Sequence, residues 1–195
     1  MAKKHQLTTS DHLPYDEFVK LLDGLRKDEN YIFELFARLA FCTACRISDV
    51  LSIKWCDILK KSAFLITEKK TGKTRRITLN KSVQQKISEL YRLLGSPNKE
   101  QYIFANKRTG RPISVQYVNK QLKRFKFRYG LHINNFSSHT FRKTFGRYVY
   151  DTNGHSADSL ILLNRILNHS SIQITKTYIG ITQEEINSVF DSINF

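Results

Sequence analysis

Arg46, Lys70, His139, Arg142, His169 and Tyr178 are the residue types needed to break and rejoin a phosphodiester. Two guanidiniums suit a bidentate clamp on non-bridging phosphate oxygens. A lysine and two histidines can move protons, and a phenol can attack phosphorus to give a covalent protein-phosphate intermediate. Charge on the phosphate is met by arginine and histidine, so the chemistry requires no bound metal and no cofactor. His139 and Arg142, three residues apart, fall on one face of a helix and can address one phosphate.

The surrounding sequences carry a resemblance. Thr43-Ala44-Cys45-Arg46-Ile47-Ser48-Asp49-Val50-Leu51-Ser52-Ile53-Lys54-Trp55 resembles the first arginine box of the tyrosine recombinases, the phage-integrase family, with an acidic residue three positions after the arginine. Lys69-Lys70-Thr71-Gly72-Lys73 resembles the hairpin that carries the family's lysine, and His139-Thr140-Phe141-Arg142 matches its His-x-x-Arg box. Leu167-Asn168-His169-Ser170-Ser171-Ile172, running on to Thr177-Tyr178, resembles the segment that presents the second histidine and the nucleophile. The four boxes stand in the family's order and the resemblance runs from about Asp11 to the end of the chain. Ala44 and Asn168 stand where the family usually has glycine, so the turns before Arg46 and His169 must accommodate a Cβ. Lys143 follows Arg142 where a histidine is common.

The resemblance implies roles for these residues. Tyr178 is the nucleophile, Arg46 and Arg142 clamp the phosphate, and Asp49, one helical turn from Arg46, orients its guanidinium. His169 donates to a non-bridging oxygen. Lys70 is the general acid toward the 5′ oxygen, although Lys69 and Lys73 share its turn. The product is a 3′-phosphotyrosyl link and a free 5′ hydroxyl, which stores the bond energy without ATP. The implied partners are double-stranded DNA and further copies of the chain, assembled as a tetramer on paired sites.

Charge points the same way. The chain has 195 residues, 32 of them basic and 17 acidic, for a net +15. Between Gln101 and Tyr150 stand Lys107, Arg108, Arg111, Lys120, Lys123, Arg124, Lys126, Arg128, Arg142, Lys143 and Arg147, with no Asp or Glu among them. A charge run is often just a solvated face. This one is interleaved with Tyr117, Phe125, Phe127 and Tyr129 and leads into the His-x-x-Arg box, which favours a surface that follows a duplex. The candidate DNA contacts are Lys69, Lys73, Arg75, Lys107, Arg108, Arg111, Lys120, Lys123, Arg124, Lys126 and Lys143. The cysteines Cys42, Cys45 and Cys56 are odd in number and lack a second ligand pair, so they are expected as buried free thiols and not as a metal site. With a polar start and no long apolar run, the expected setting is the cytoplasm, at the nucleoid, with no membrane partner.

The expected fold is mainly α with a small antiparallel β-sheet, an α+β arrangement of the tyrosine recombinase catalytic-domain type. Periodicity predicts a helix from Pro14 to near Lys27, a second over Tyr31 to Cys42, and a short one reaching Trp55. Ala63 to Thr67 and Arg75 to Leu79 read as strands around a glycine bend that carries Lys70. Further helices are expected over Lys81 to Leu94, Val115 to Tyr129, His139 to Asp151 and Ala157 to Leu167, with Ser137 or Ser138 and Ser156 as N-caps. Thr182-Gln183-Glu184-Glu185 is a capping box before an apolar stripe of Ile186, Val189, Phe190 and Ile193, a final helix that docks either on its own core or on a neighbouring protomer.

The expected organisation is a polar tail over 1–10, a catalytic domain over 11–181 and a C-terminal helix over 182–195. Since the family usually carries an extra N-terminal DNA-clamping domain, the chain is expected to be either a catalytic fragment or a short single-domain recombinase. The leading reading is a site-specific recombinase. A type IB topoisomerase-like nicking and resealing enzyme would use nearly the same residues, and a non-catalytic DNA-binding protein would need the basic face without the tyrosine.

Overall fold

The structure is a computed structural model and describes residues 10–181 and Ile193. The capping box and most of the apolar stripe expected after Ile181 lie outside the described residues, as does most of the 1–10 tail.

The first helix, α1 (Tyr15–Lys27), follows Pro14 and buries Phe18, Leu21, Leu22 and Leu25. Asp16 and Glu17 in its first turn and Arg26 and Lys27 in its last complement the helix dipole. The next helix, α2 (Tyr31–Thr43), is apolar on most faces and runs through the middle of the molecule, packed against α1, α5 (Lys81–Leu93) and α7 (Thr140–Thr152). Phe36 at its centre makes edge contacts with Phe104 and Phe141. Two one-turn helices, α3 (Ile47–Val50) and α4 (Trp55–Ile58), follow, so the short helix expected to reach Trp55 stops at Val50 and a further one starts at Trp55.

β1 (Ala63–Thr67) and β2 (Thr74–Thr78) pair antiparallel, in register from Ala63 opposite Thr78 to Thr67 opposite Thr74. Phe64, Ile66 and Ile77 face the core, while Leu65 faces out at 69% exposure. Gly72, at φ +67°, lets the chain reverse between Glu68 and Lys73, where the Glu68 N–H donates to the Lys73 carbonyl.

α5, α6 (Val115–Arg128) and α8 (Ala157–Leu167) begin where expected, and of their caps Ser156 is the expected one. Asn80, Ser114 and Ser156 each accept a backbone N–H from the first turn. α7 departs from expectation. His139, not Ser137 or Ser138, holds its N-cap position, and no side chain caps it. Ser137 instead accepts the His139 N–H and shares a hydrogen bond with the Ser10 hydroxyl, so its capping capacity serves the preceding turn.

A helix that periodicity did not predict, α9 (Ile172–Ile179), is capped by Ser171 and carries Tyr178. Together α7, α8 and α9 form a small second core of Tyr150, Leu160, Leu163 and Ile179, with Phe145 and Tyr178 packed against it. The α7–α9 crossing is close because Gly146 has no side chain, and a Cβ placed there would stand 2.7 Å from Ile179 Cγ2. Among the described residues, no helix is long and apolar enough to cross a membrane.

Candidate active site

Two helix ends build the site. α2 stops at Thr43, with Ala44 left-handed at φ 47°, and α8 stops at Leu167, with Asn168 left-handed at φ 50°. These are the two turns where the sequence has Ala and Asn in place of glycine. Asparagine suits this conformation, while Ala44 adopts it against its intrinsic preference. Beyond each turn the chain delivers a functional residue, Arg46 after the first and His169 after the second.

Arg75 and Arg142 tie the two ends together. Arg142 donates to the Ala44 and Leu167 carbonyls. Arg75 donates to the Ile166 carbonyl at 2.6 Å, to the Thr43 carbonyl at 3.1 Å and to Cys45 Sγ at 3.0 Å. Exposed carbonyls at a helix C-terminus carry partial negative charge, so guanidiniums are well matched to them. Arg142 is buried, but a guanidinium has five donors, and two carbonyl bonds leave N–H groups for another acceptor. Arg75, expected at a DNA surface, is instead drawn inward by these four acceptor groups, counting Glu68 at 3.5 Å.

Glu68 is the partner of Arg46, whose Nη1 donates to Oε2 at 2.6 Å. This corrects the expected pairing of Arg46 with Asp49. Asp49 is buried and its Oδ1 accepts the Lys69 backbone N–H at 3.0 Å, so it anchors the hairpin turn and not the guanidinium. The Glu68 carboxylate also accepts from the Thr71 hydroxyl at 2.8 Å and from the Asn168 amide at 3.1 Å. Burial alone would raise its pKa, but these hydrogen bonds and the Arg46 charge outweigh burial and hold it at about 2.

His139, His169 and Tyr178 converge on the Arg142 side of this cluster. Desolvation first, then the charges of Arg142, Lys143, Arg46 and Lys70, lower the His139 pKa. Desolvation and the same Arg142, Arg46 and Lys70 charges bring His169 down to about 4. Both imidazoles are therefore neutral at physiological pH. His169 Nδ1 lies 3.1 Å from Thr175 Oγ1, which accepts from the Asn164 amide at 3.2 Å. With one lone pair so occupied, the Thr175 hydroxyl can still donate to Nδ1, and in that arrangement the proton of His169 stands on Nε2.

Tyr178 stands edge-on to His169, with 5.0 Å between ring centroids, and under Arg142 and Lys143 at 5.9 and 5.4 Å. Its hydroxyl is buried without an aligned hydrogen-bond partner. Desolvation raises its pKa, and the opposing pull of the Arg142 charge, of Arg142 as a hydrogen-bond donor and of the Arg46 charge does not offset that.

The lysines differ in what they touch. Lys73 Nζ reaches Asn168 Oδ1 at 3.3 Å, and Lys143 Nζ donates to the Ser10 carbonyl at 2.6 Å. Lys143, expected as a DNA contact, is thus turned toward Ser10 and the Tyr178 ring. Lys70 is exposed, has no side-chain hydrogen bond among the described residues, and its charge acts on both histidines.

Along α6, Lys120, Lys123 and Arg124 are exposed, as are Lys107, Arg108 and Arg111 on the preceding loop. Lys126 is half-buried and donates to the Asn134 carbonyl at 3.0 Å. Arg128 is paired with Asp28, and Arg147 with Asp151 at 2.9 Å. The aromatic residues divide: Phe125 enters the core with Tyr129 stacked on it, whereas Tyr117 and Phe127 face out, Phe127 at 80% exposure. Lys123, Lys126 and Phe127 form one wall of a cavity of about 510 Å³ that reaches Ser137, two residues before His139. Of the three free thiols only Cys45 is fully buried; Cys42 and Cys56 are partly exposed. Among the described residues no cluster of His, Cys, Asp or Glu could hold a metal ion.

The arrangement is an electropositive cluster in which a buried phenol, two neutral imidazoles, two guanidiniums and an exposed ammonium share one neighbourhood. It can hold a tetrahedral anion, shift protons at neutral pH and direct a phenol at phosphorus. Glu68, Thr175 and Asn164 escaped the sequence reading. Glu68 resembles any strand-end residue, and Thr175 stands in a β-branched run that gives no sign of a helix.

Residues 12–185 match the family described as Phage integrase family. A probable integrase/recombinase, YoeC, of Bacillus subtilis strain 168 is 35% identical over 148 residues, covering 76% of this chain and 77% of that protein. The tyrosine recombinase XerH of Campylobacter jejuni is 24% identical, over 84% of this chain but 46% of its own length. Apart from YoeC, then, the chain spans roughly half to two thirds of the curated relatives it matches. Among solved structures, XerH bound to a palindromic difH substrate in a post-cleavage complex superposes with a TM-score of 0.72 at 22% identity, over 96% of this chain and 54% of that one. The catalytic core of lambda integrase gives 0.61 at 21% identity, over 82% and 91%. These likenesses establish the fold.

Proposed function

The chain belongs to the phage integrase family, and from that premise we propose that it is the strand-cleaving and strand-joining part of a site-specific DNA recombinase. The observation that carries the reading is Tyr178, a buried phenol with no aligned hydrogen bond among the described residues, set beside Arg142 and in the same neighbourhood as Arg46, Lys70, His139 and His169. Packing alone gives no reason to bury a phenolic oxygen without a hydrogen bond.

In this reading Arg46 and Arg142 hold the non-bridging oxygens of the scissile phosphate, and His169 donates its Nε2 proton to one of them. Tyr178 Oη forms a bond to phosphorus as the bond from phosphorus to the 5′ oxygen breaks. The phenolic proton passes to a neutral imidazole, His139. The electron pair of the broken bond leaves with the 5′ oxygen, which takes a proton from Lys70. The 3′ phosphate ends on Tyr178 and the 5′ end is a free hydroxyl; attack by that hydroxyl, or by one from a second strand, reverses each transfer.

Of the three lysines on the turn, Lys70 fits the acid best, because Lys73 is held by Asn168. The exposed Lys107, Arg108, Arg111, Lys120, Lys123 and Arg124 serve the duplex backbone. Residues 11–181 make up the catalytic domain, and the partners are duplex DNA and other copies of the chain. Lambda integrase has been solved as a tetramer bound to a Holliday junction, the kind of assembly strand exchange calls for. The setting is the cytoplasm, at the nucleoid.

A nicked duplex that loses its 5′ fragment on cleavage tests the proposal. The protein should become covalently attached to the 3′ side, and paired sites should yield exchanged strands. Cleavage and resealing without exchange between paired sites would make it a nicking and resealing enzyme, and attachment to a 5′ end would overturn the chemistry.

A further inference from the structure

Glu68 stands where three parts of the site meet. Its carboxylate receives Arg46 from the α2–α3 turn, the Thr71 hydroxyl from the hairpin turn and the Asn168 amide from the α8–α9 turn. Its backbone closes the same hairpin turn, accepting from Gly72 at 2.8 Å and donating to Lys73 at 3.0 Å. The side chain is 0% exposed. A buried carboxylate is tolerated only when charge and hydrogen bonds compensate it, so these contacts hold one another in place.

Among the described residues the Lys70 side chain makes no hydrogen bond, so its location depends on how the turn is anchored. The anchors outside the turn's own backbone are the Asp49 contact to the Lys69 N–H, the Lys73 contact to Asn168 and the Glu68–Thr71 bond. Among the described residues, only Glu68 joins that turn directly to a proposed phosphate clamp.

We propose that Glu68 is a positioning residue that fixes the Lys70 turn to Arg46 and to the segment presenting His169, so that the proton donor arrives at a phosphate already clamped. The inference rests on the reading of Lys70 as the acid for the leaving 5′ oxygen. Glu68 stays ionised far below neutrality, so the anchor is permanent and not a pH switch.

The test uses the whole chain and two suicide duplexes, one with the ordinary 5′ bridging oxygen and one with sulfur there, a leaving group that departs without a proton. Glu68→Gln keeps the shape and one acceptor oxygen but removes the charge. It should slow cleavage of the oxygen substrate by about 10- to 100-fold, the usual effect of losing an outer positioning contact, while sulfur restores most of the lost rate. Thr71→Val, at an exposed turn position where folding is not at stake, should show the same pattern in smaller size. Equal slowing on both substrates in these two variants, or no slowing, overturns the coupling. Lys70→Ala is the control. If sulfur rescues it but not Glu68→Gln, the coupling alone falls; if sulfur does not rescue Lys70→Ala, the acid role falls and the inference with it.

Discussion

Arg75 and Arg142 donate to neighbouring carbonyls at the same two helix ends, Thr43 and Ile166 for the first and Ala44 and Leu167 for the second. The α2 and α8 termini are therefore joined by two guanidiniums in parallel. A single ammonium cannot span both ends as a fork does. Arg75→Lys should consequently destabilise the protein almost as much as Arg75→Ala, by about 2–4 kcal/mol, since either leaves buried acceptors and the Glu68 carboxylate short of partners. Urea denaturation measures it, and a loss below about 0.5 kcal/mol would mean that Arg142 alone holds the seam.

Tyr178→Phe should bind duplex DNA as the parent does and form no covalent adduct on a nicked suicide substrate. The hydroxyl it lacks has no aligned hydrogen bond among the described residues, so folding stability should change little. An adduct that survives denaturing electrophoresis in this variant would move the nucleophile elsewhere.

Thr175→Val keeps the volume of a fully buried side chain while removing the hydroxyl that meets His169 Nδ1 and, as a donor there, would hold the ring proton on Nε2. The Asn164 amide loses its acceptor as well. Cleavage should fall by about 10- to 100-fold, the size typical of removing the group that orients a working histidine. Nitrogen chemical shifts of His169 should show the proton moving off Nε2 in the variant. A rate at the parental level would place the phosphate contact on another donor.

The depressed His169 pKa makes stability depend on pH. The folded value is about 4 against an ordinary 6.5, so between those values the unfolded chain binds more protons and stability falls as pH falls. Most of the loss lies between pH 6.5 and 4, with about 2 kcal/mol at stake once solvent access is allowed for. His139, also depressed, adds in the same direction, and Glu68 contributes only below about pH 4.5. Thermal melts of DNA-free protein should show His169→Gln with a shallower acid limb. A slope matching the parent would exclude His169 as its source.

Duplex binding should weaken steeply with salt. Each phosphate contact adds about 0.9 to the log-log slope, so neutralising the exposed pair Lys123 and Arg124 should lower it by about 2. Adding Lys126 should do less than a third full step, because its amine is engaged with the Asn134 carbonyl. Fluorescence anisotropy across a salt series reads the slope, and an unchanged value would turn this face of α6 away from DNA.

Most helices were legible from their apolar period, and Ser156 marked the start of one; the caps at Asn80 and Ser114 emerge only in the structure. α9 was not legible, because Ile172, Ile174, Thr175, Thr177 and Ile179 are β-branched and its helical state comes from packing on α7 and α8. The six chemical residues could be picked from local boxes, but their supports could not. Glu68 meets Arg46 and Asn168 across 22 and 100 positions of sequence, and no local pattern encodes such pairings. Arg75 was misread for the same reason, since a basic residue in an exposed-looking hairpin gives no sign that carbonyls 32 and 91 positions away will claim it.

The missing side chain at Gly146 sets how deeply Tyr178, the proposed nucleophile, sits. Ile179, the residue after Tyr178, fills the space that a methyl group at position 146 would take. One added carbon there would lift α9 off α7 and move the phenol outward with every chemical group still present. A displacement of about 1 Å is enough to cost about a hundredfold in rate. The reach of Tyr178 toward phosphorus is thus gauged from the opposite side of its helix, by an atom that is not there.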